Sequence, residues 1–533
     1  MRAHALAGRA TRLVVLVMLV GALGPAAPVL AGADGAALIE AARAQDADTV
    51  RALLAAGADA NAVQADGATA LHWAAYRDDL HTADLLIGAG ADLNAANELG
   101  ATALWLAAGN GSPAMVGRLL DAGAQPNAAL PEGETPLMTA SRTGNAAAVR
   151  LLLAAGADVN AVEHSRGQTA LMWAVAQGHH AIVSALLDHG ADVAARSITR
   201  PRLMYADSTN AGQYDEGVMW NRGGFTPLLF AARGGDPESA KLLLDAGADI
   251  DQPAPTGASP LVVATHSGQG AFATYLLDRG ADANAAGAGY TALHAAILRG
   301  DRRLVEQLLE HGANPNARVE RGTPLRRASQ DWALNPSLVS ATPYWLATYF
   351  RDPAMMRDLV AAGADPRTTT RELWRRVLER AGGVGPPFVA GGFATPLMAA
   401  VRGTSTRNRF RLSGGRSPDP DLEERHALET AQVAVELGAD VNATDWNGDT
   451  ALHTAASRNY TTLVRFLAKH GADLDVRNAA GRTPLAVAKS AAAARTQRLI
   501  VLGRDPSGNT ATVLHELGAR DEPAEGADEA DWR

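Results

Sequence analysis

The chain has 533 residues, 47% apolar and 20% charged, a balance that suits a folded protein rather than a disordered one. It contains no cysteine, which excludes disulfides, zinc–thiolate sites, a thiol nucleophile and a lipidated cysteine anchor. The formal charge of −9 argues against indiscriminate nucleic-acid binding.

At the N-terminus, Arg2, Arg9 and Arg12 precede an apolar run from Leu13 to Leu23. Gly24-Pro25 breaks that run, and Val29-Leu30-Ala31 suits cleavage before Gly32. Residues 1–31 therefore read as an export signal. The apolar run is well short of the roughly 20 residues that a spanning helix needs. Cleavage into the periplasm is expected, with secretion or an uncleaved N-terminal anchor as alternatives. Losing those three arginines takes the charge from −9 to −12.

From residue 32 onward one pattern dominates. Gly-Ala followed by Asp, Asn, Gln or Arg recurs at Gly57, Gly90, Gly123, Gly156, Gly190, Gly247, Gly280, Gly312, Gly363, Gly438, Gly471 and Gly518. The commonest spacing is 33 residues, and a fixed period of this size signals a stack of small units. Residues 66–97 show one unit. Thr69 precedes a short apolar run as a helix start, and Pro136, Pro227, Pro260, Pro343, Pro396 and Pro484 occupy the first helical turn elsewhere. A polar turn at Arg77-Asp78-Asp79 ends the first helix, and the second carries paired leucines such as Leu85-Leu86. Gly90 then stops it in the left-handed conformation. Leu71 and Ala75 share one face at i, i+4, and such a hairpin buries its apolar side only against neighbours.

Thr69-Ala-Leu-His72, Thr291-Ala-Leu-His294 and Thr450-Ala-Leu-His453 resemble the Thr-Pro-Leu-His signature of ankyrin repeats. The endings Gly156–Asn160 and Gly438–Asn442 match as well, and the resemblance covers roughly residues 33–519. It implies an all-α fold, an ankyrin-repeat solenoid of about twelve units. Each would be an antiparallel helix pair followed by a β-hairpin-like finger. The resemblance also implies a concave face that binds other proteins.

Four intervals between the glycines are long, and the position of the next helix start locates each insertion. Insertions fall near 196–223, 318–341 and 366–393 in fingers, and near 403–423 and 491–507 between paired helices. The solenoid is expected over 32–519, with an acidic, disordered tail over 520–533. In the third interval Thr395 starts a helix; in the second Thr342 is preferred to Thr323 as the start. The segments 196–223, 318–341, 366–393 and 402–423 together carry a charge of +8. Charge concentrated there should steer an anionic partner. Arg200, Arg202, Tyr205, Tyr214, Trp220, Arg326, Arg327, Trp332, Trp374, Arg375 and Arg376 are the partner-binding candidates, because arginine and aromatic anchors dominate many interfaces. The same arginines also read as solvated surface in an arginine-biased chain.

No phosphate-cradling loop, nucleophile elbow or dinucleotide fingerprint is present. His72, His294 and His453 read as structural, bonded to neighbouring turns. His189, His311 and His470 sit at helix ends, where the dipole favours them. The expectation is a monomeric, non-catalytic scaffold without metal or cofactor. It would bind a protein with an acidic surface, with no nucleic acid and no membrane insertion after cleavage. The alternative is a receptor for, or enzyme acting on, a small anionic ligand held between the long fingers.

Overall fold

The computed structural model describes residues 33–205, 217–321, 338–370, 394–404, 420–492 and 510–520. It separates into two compact units. The first takes in the described residues within 33–199 and 223–249, the second those within 200–222 and 250–520. Both are stacks of short helix pairs, such as Ala70–Arg77 with Leu80–Gly88 in the first unit and Ala292–Arg299 with Arg302–Glu310 in the second.

Local chemistry sets the helix boundaries. The Thr102 hydroxyl accepts from Trp105 N at 3.2 Å, and that of Thr395 from Met398 N at 3.2 Å. Each satisfies a donor that the first turn leaves orphaned. Pro136, Pro227, Pro260, Pro343 and Pro396 all lie in the first turn. Thr342 caps Pro343–Tyr349, while its rival Thr323 lies outside the described residues.

All twelve repeat glycines have φ between 80° and 103°. A Cβ added at eleven of them would meet nothing within 4 Å, and at Gly438 only an Arg367 guanidinium nitrogen at 3.8 Å. Glycine is required there by the left-handed backbone, not by lack of room. Leu71, Ala75 and Leu86 are completely buried, as expected for faces that meet within and between pairs.

The Asn four residues after Gly57, Gly123, Gly156, Gly280, Gly312 and Gly438 does more than turn the chain. Asn160 Nδ2 donates to Gly190 O at 3.1 Å, and its Oδ1 accepts from Asp192 N at 2.8 Å. Asn61, Asn127, Asn284, Asn316 and Asn442 make the same pair of bonds to the next repeat. One side-chain amide thus satisfies both a helix-end carbonyl and a turn N–H of its neighbour.

The turns before the first helices close by one recurring bond. Asn97 N donates to Ala101 O at 3.1 Å, and Asp445 N to Asp449 O at 2.9 Å. Equivalent bonds join Ser197 N to Phe225 O at 3.0 Å, Val319 N to Ala341 O at 3.0 Å and Thr370 N to Ala394 O at 3.3 Å. These three pairs flank the segments where the first three insertions are expected. Within the first, strands β1 (Arg200–Tyr205) and β2 (Gly217–Arg222) pair antiparallel. The expected loop over 403–423 needs correction. Helix Pro420–Glu436 already includes residues 420–423, because Pro420 opens the first turn and Asp421 and Glu423 favour its positive end. The expected tail and most of the 491–507 segment lie outside the described residues.

Candidate interaction groove

The histidines of the helix-start signature are structural. His72 Nδ1 accepts from Thr69 N at 3.1 Å, and its Nε2 meets Ala101 O of the next repeat at 2.9 Å. His294 and His453 repeat the arrangement, reaching Ala317 O at 3.1 Å and Arg482 O at 3.0 Å. Accepting at Nδ1 while donating from Nε2 requires a neutral ring. Burial pushes all three histidines below their ordinary value, His294 to about 4. His189, His311 and His470 each bond a carbonyl four residues back at 2.8 Å, as helix ends favour. Among the described residues, no group of three or more His, Cys, Asp or Glu could hold a metal ion. No described helix is long and apolar enough to cross a membrane.

Of the sequence-derived candidates, Arg200, Arg202 and Tyr205 lie on β1 and Trp220 on β2. The register sets Arg200 opposite Arg222, Arg202 opposite Trp220 and Tyr205 opposite Gly217. Tyr214, Arg326, Arg327, Trp332, Trp374, Arg375 and Arg376 lie outside the described residues.

The first unit holds a groove of about 830 Å³ that sequence reasoning missed. One side is built from turns, with Glu98, Leu99, Leu130, Pro131, Glu132, Glu163 and Arg166. The other is built from first helices of successive pairs: Arg142 on Pro136–Thr143, Trp173 and Ala176 on Ala170–Gln177, Phe230 and Arg233 on Pro227–Gly234. Trp173 and Phe230 stand four residues after their capping threonines, and Arg142 and Arg233 stand seven after theirs. Positions four and seven share a helix face, so a column of Trp, Phe and Arg at those offsets was the available signal.

Arginine–aromatic stacking organises the helical wall. The Arg142 guanidinium lies 5.0 Å from the Trp173 ring centre, and that of Arg233 lies 5.0 Å from Phe230 and 5.5 Å from Phe225. Arg233 is held below arginine's ordinary value by burial against this wall, yet its side chain still reaches solvent. Two of the groove's acids are already engaged. Glu134 accepts from Arg142 at 3.1 Å and from the Thr139 hydroxyl at 2.6 Å. Glu163, buried at 4% exposure, accepts the backbone N–H groups of Ser165, Arg166 and Gln168 at 2.7–3.0 Å. Glu98, Glu132 and Arg166 are exposed. Beneath the floor, the Trp173 Nε1 and Arg142 Nε donors are buried with no hydrogen-bond partner.

Stacked helix pairs ended by left-handed glycines, several of them tied to the next by an asparagine, define a helical repeat protein with a groove along its turns and first helices. The sequence matches the family profile described as "Ankyrin repeats (3 copies)" over residues 38–129, 118–197, 206–287 and 228–319. It matches "Ankyrin repeats (many copies)" over 435–488. The chain belongs to the ankyrin-repeat family. It is similar to the human B-cell lymphoma 3 protein, 28% identical over 232 residues, covering 38% of this chain and 48% of that protein. The mouse B-cell lymphoma 3 protein homolog is 40% identical over 79 residues, 15% of this chain and 18% of that one. Protein PhlB of Serratia liquefaciens is 40% identical over 99 residues, 16% and 40% respectively. The chain spans less than half the length of each of these relatives.

Proposed function

We propose that this chain is a non-catalytic scaffold, exported to the periplasm, that works as a monomer holding a partner protein in the groove of its first unit. Ankyrin repeats generally mediate protein–protein binding, which supports the class. The observation that carries the reading is the groove itself. It combines apolar finger residues with two arginine–aromatic stacks along the helical wall. A polypeptide offers side chains that fill such a groove and pack on its arginine–aromatic wall. The arginine- and aromatic-rich insertions add a second contact region that draws in an acidic surface. Their growth from the finger turns supports this, since insertions on one face of a repeat stack mark binding faces. The export signal over residues 1–31 supports the location.

The test is capture of a stoichiometric partner from the exported fraction, compared between wild type and two variants. Ala176 is exposed in the groove, so Ala176→Trp fills it without touching the core. The second variant changes Arg200, Arg202, Trp220, Trp332 and Trp374 together to alanine. With helical circular dichroism unchanged, the first should abolish capture and the second should weaken it. Capture that survives both, or no stoichiometric partner at all, overturns the reading.

A further inference from the structure

Backbone bonds lace the fingers of the first unit, each running from one finger to the one before. Glu98 N donates to Asp66 O at 2.8 Å, His164 N to Glu132 O at 2.7 Å and Ile198 N to Arg166 O at 2.7 Å. One link is missing. In the finger closed by Leu130 N on Glu134 O, the donor position falls on Pro131, two residues before Gly133 as Glu98 is before Gly100. Proline has no N–H to give, so Leu99 O, the acceptor at that place, receives no hydrogen bond among the described residues. The two fingers still touch, since Pro131 Cδ lies 2.6 Å from where a Cβ on Gly100 would stand.

This break lies in the groove. Leu99, at 43% exposure, and the exposed Pro131 both line it. Next to them stand Glu98 and Glu132, both exposed and in no ion pair among the described residues. The cations of the lining are engaged or set apart. Arg142 is paired with Glu134 and lies over Trp173, Arg233 lies over Phe225 and Phe230, and Arg166 stands on the following finger.

We infer that the break in the finger wall takes a basic side chain, arginine or lysine, of the partner polypeptide, with apolar neighbours packed on Leu99, Leu130 and Pro131. This rests on the scaffold reading above and names the chemistry of the segment that enters the groove. The acidic surface that the insertions draw in is a separate contact. The break offers two carboxylates and a carbonyl. A guanidinium brings five N–H donors and an ammonium three, so one such group meets several of these acceptors, and its charge strengthens each bond to a carboxylate. The aliphatic stem of either side chain packs on apolar surface while its head stays at the acids, which suits a wall of leucine and proline. An acidic side chain meets repulsion from both glutamates, and that repulsion is the discriminating element.

The probe is a fluorescein-labelled peptide, Gly-Ser-Ala-Leu-Arg-Leu-Ala-Ser-Gly, titrated by anisotropy at low salt into the full chain. Its controls carry Gln or Glu in place of the arginine. The arginine peptide should bind about tenfold more tightly than the Gln peptide, and the Glu peptide more weakly still. The double variant Glu98→Gln with Glu132→Gln should erase that difference. Glu98→Lys with Glu132→Lys should turn the preference to the Glu peptide. Pro131→Ala returns an N–H that closes on Leu99 O, and should weaken the arginine peptide about threefold. Ala176→Trp should remove binding altogether. An arginine peptide bound no better than the Gln peptide, or a preference that neither glutamate double variant moves, overturns this inference; where Ala176→Trp still removes that binding, the scaffold reading stands. An affinity unchanged in Pro131→Ala overturns it as well. So does the lack of saturable binding by any peptide, and partner capture by the full chain then decides the scaffold reading separately.

Discussion

Two turns that do the same job in different ways show how this chain tolerates irregularity. In the first unit, helix Ala170–Gln177 ends on Gly178 at φ 72°, and the stack is stitched by Asn160 to Gly190 and Asp192. Gly178 and Asn160 are both neutral and exposed. In the second unit, helix Pro343–Tyr349 is followed by Arg351 in the left-handed region at φ 54°. That arginine's side chain is fully buried. It donates to Ala400 O at 3.1 Å, Val401 O at 3.2 Å and Glu423 O at 3.1 Å, and pairs with the Glu423 carboxylate. A second substitution of the same kind lies nearby in the chain. Asn97 closes its finger by accepting from Leu99 N and Ala101 N at 3.0 and 2.9 Å. Asp445 closes its own by accepting from Asn447 N and Asp449 N at 2.9 and 3.0 Å. Because Asp445 is a fully buried carboxylate, it also needs Arg402 at 3.0 Å. Where the period is broken between residues 403 and 419, neutral capping gives way to buried ion pairs. A buried charge is tolerated only with its full set of partners.

The largest effect that would sharpen this contrast comes from Arg351. Arg351→Met should cost about 3–5 kcal/mol, because it strands a half-buried carboxylate and three carbonyls. Arg351→Gly relaxes the left-handed backbone but should still destabilise. Urea unfolding of both variants checks the point, and a glycine variant as stable as wild type would show that the network contributes nothing. A smaller loss is expected in the regular region. Asn160→Ala removes two exposed hydrogen bonds and should cost about 1–2 kcal/mol. Hydrogen exchange should show the lost protection centred on the repeats around Gly190, and a uniform loss would contradict that.

The smallest effect at neutral pH belongs to His294. Its folded value of about 4 lies below the ordinary 6.5, and burial is the first cause. The unfolded chain therefore binds the extra proton first. Stability is fully present above about pH 6.5 and falls as the pH drops toward 4. His294→Asn should flatten that part of a stability-against-pH curve, and a profile identical to wild type would place the titration elsewhere.

How much of this was legible can be argued residue by residue. Thr69, Thr342 and Thr395 announced their helices because N-capping is chemistry within four residues. The twelve glycines announced the helix ends because a left-handed dihedral belongs to a single residue. The histidine roles followed from the resemblance to ankyrin repeats. The start of helix Pro420–Glu436 was placed four residues late, since a stretch rich in Ser, Gly, Pro and Arg masked a proline at a first turn. The groove was not read at all. Glu98, Glu132, Trp173 and Arg233 are up to 135 residues apart in sequence, and nothing local marks them as neighbours.

The sequence by itself determined the repeat, its two helices and the glycine that ends each unit, because those features depend on dihedrals and contacts a few residues long. Only the tertiary structure decided which side chains share the groove, which acids are already paired and which arginine is buried. Those outcomes depend on stacking one repeat on the next. Stacking turns a period in the chain into a column in space, and the charge left along that column is a property of the assembled wall.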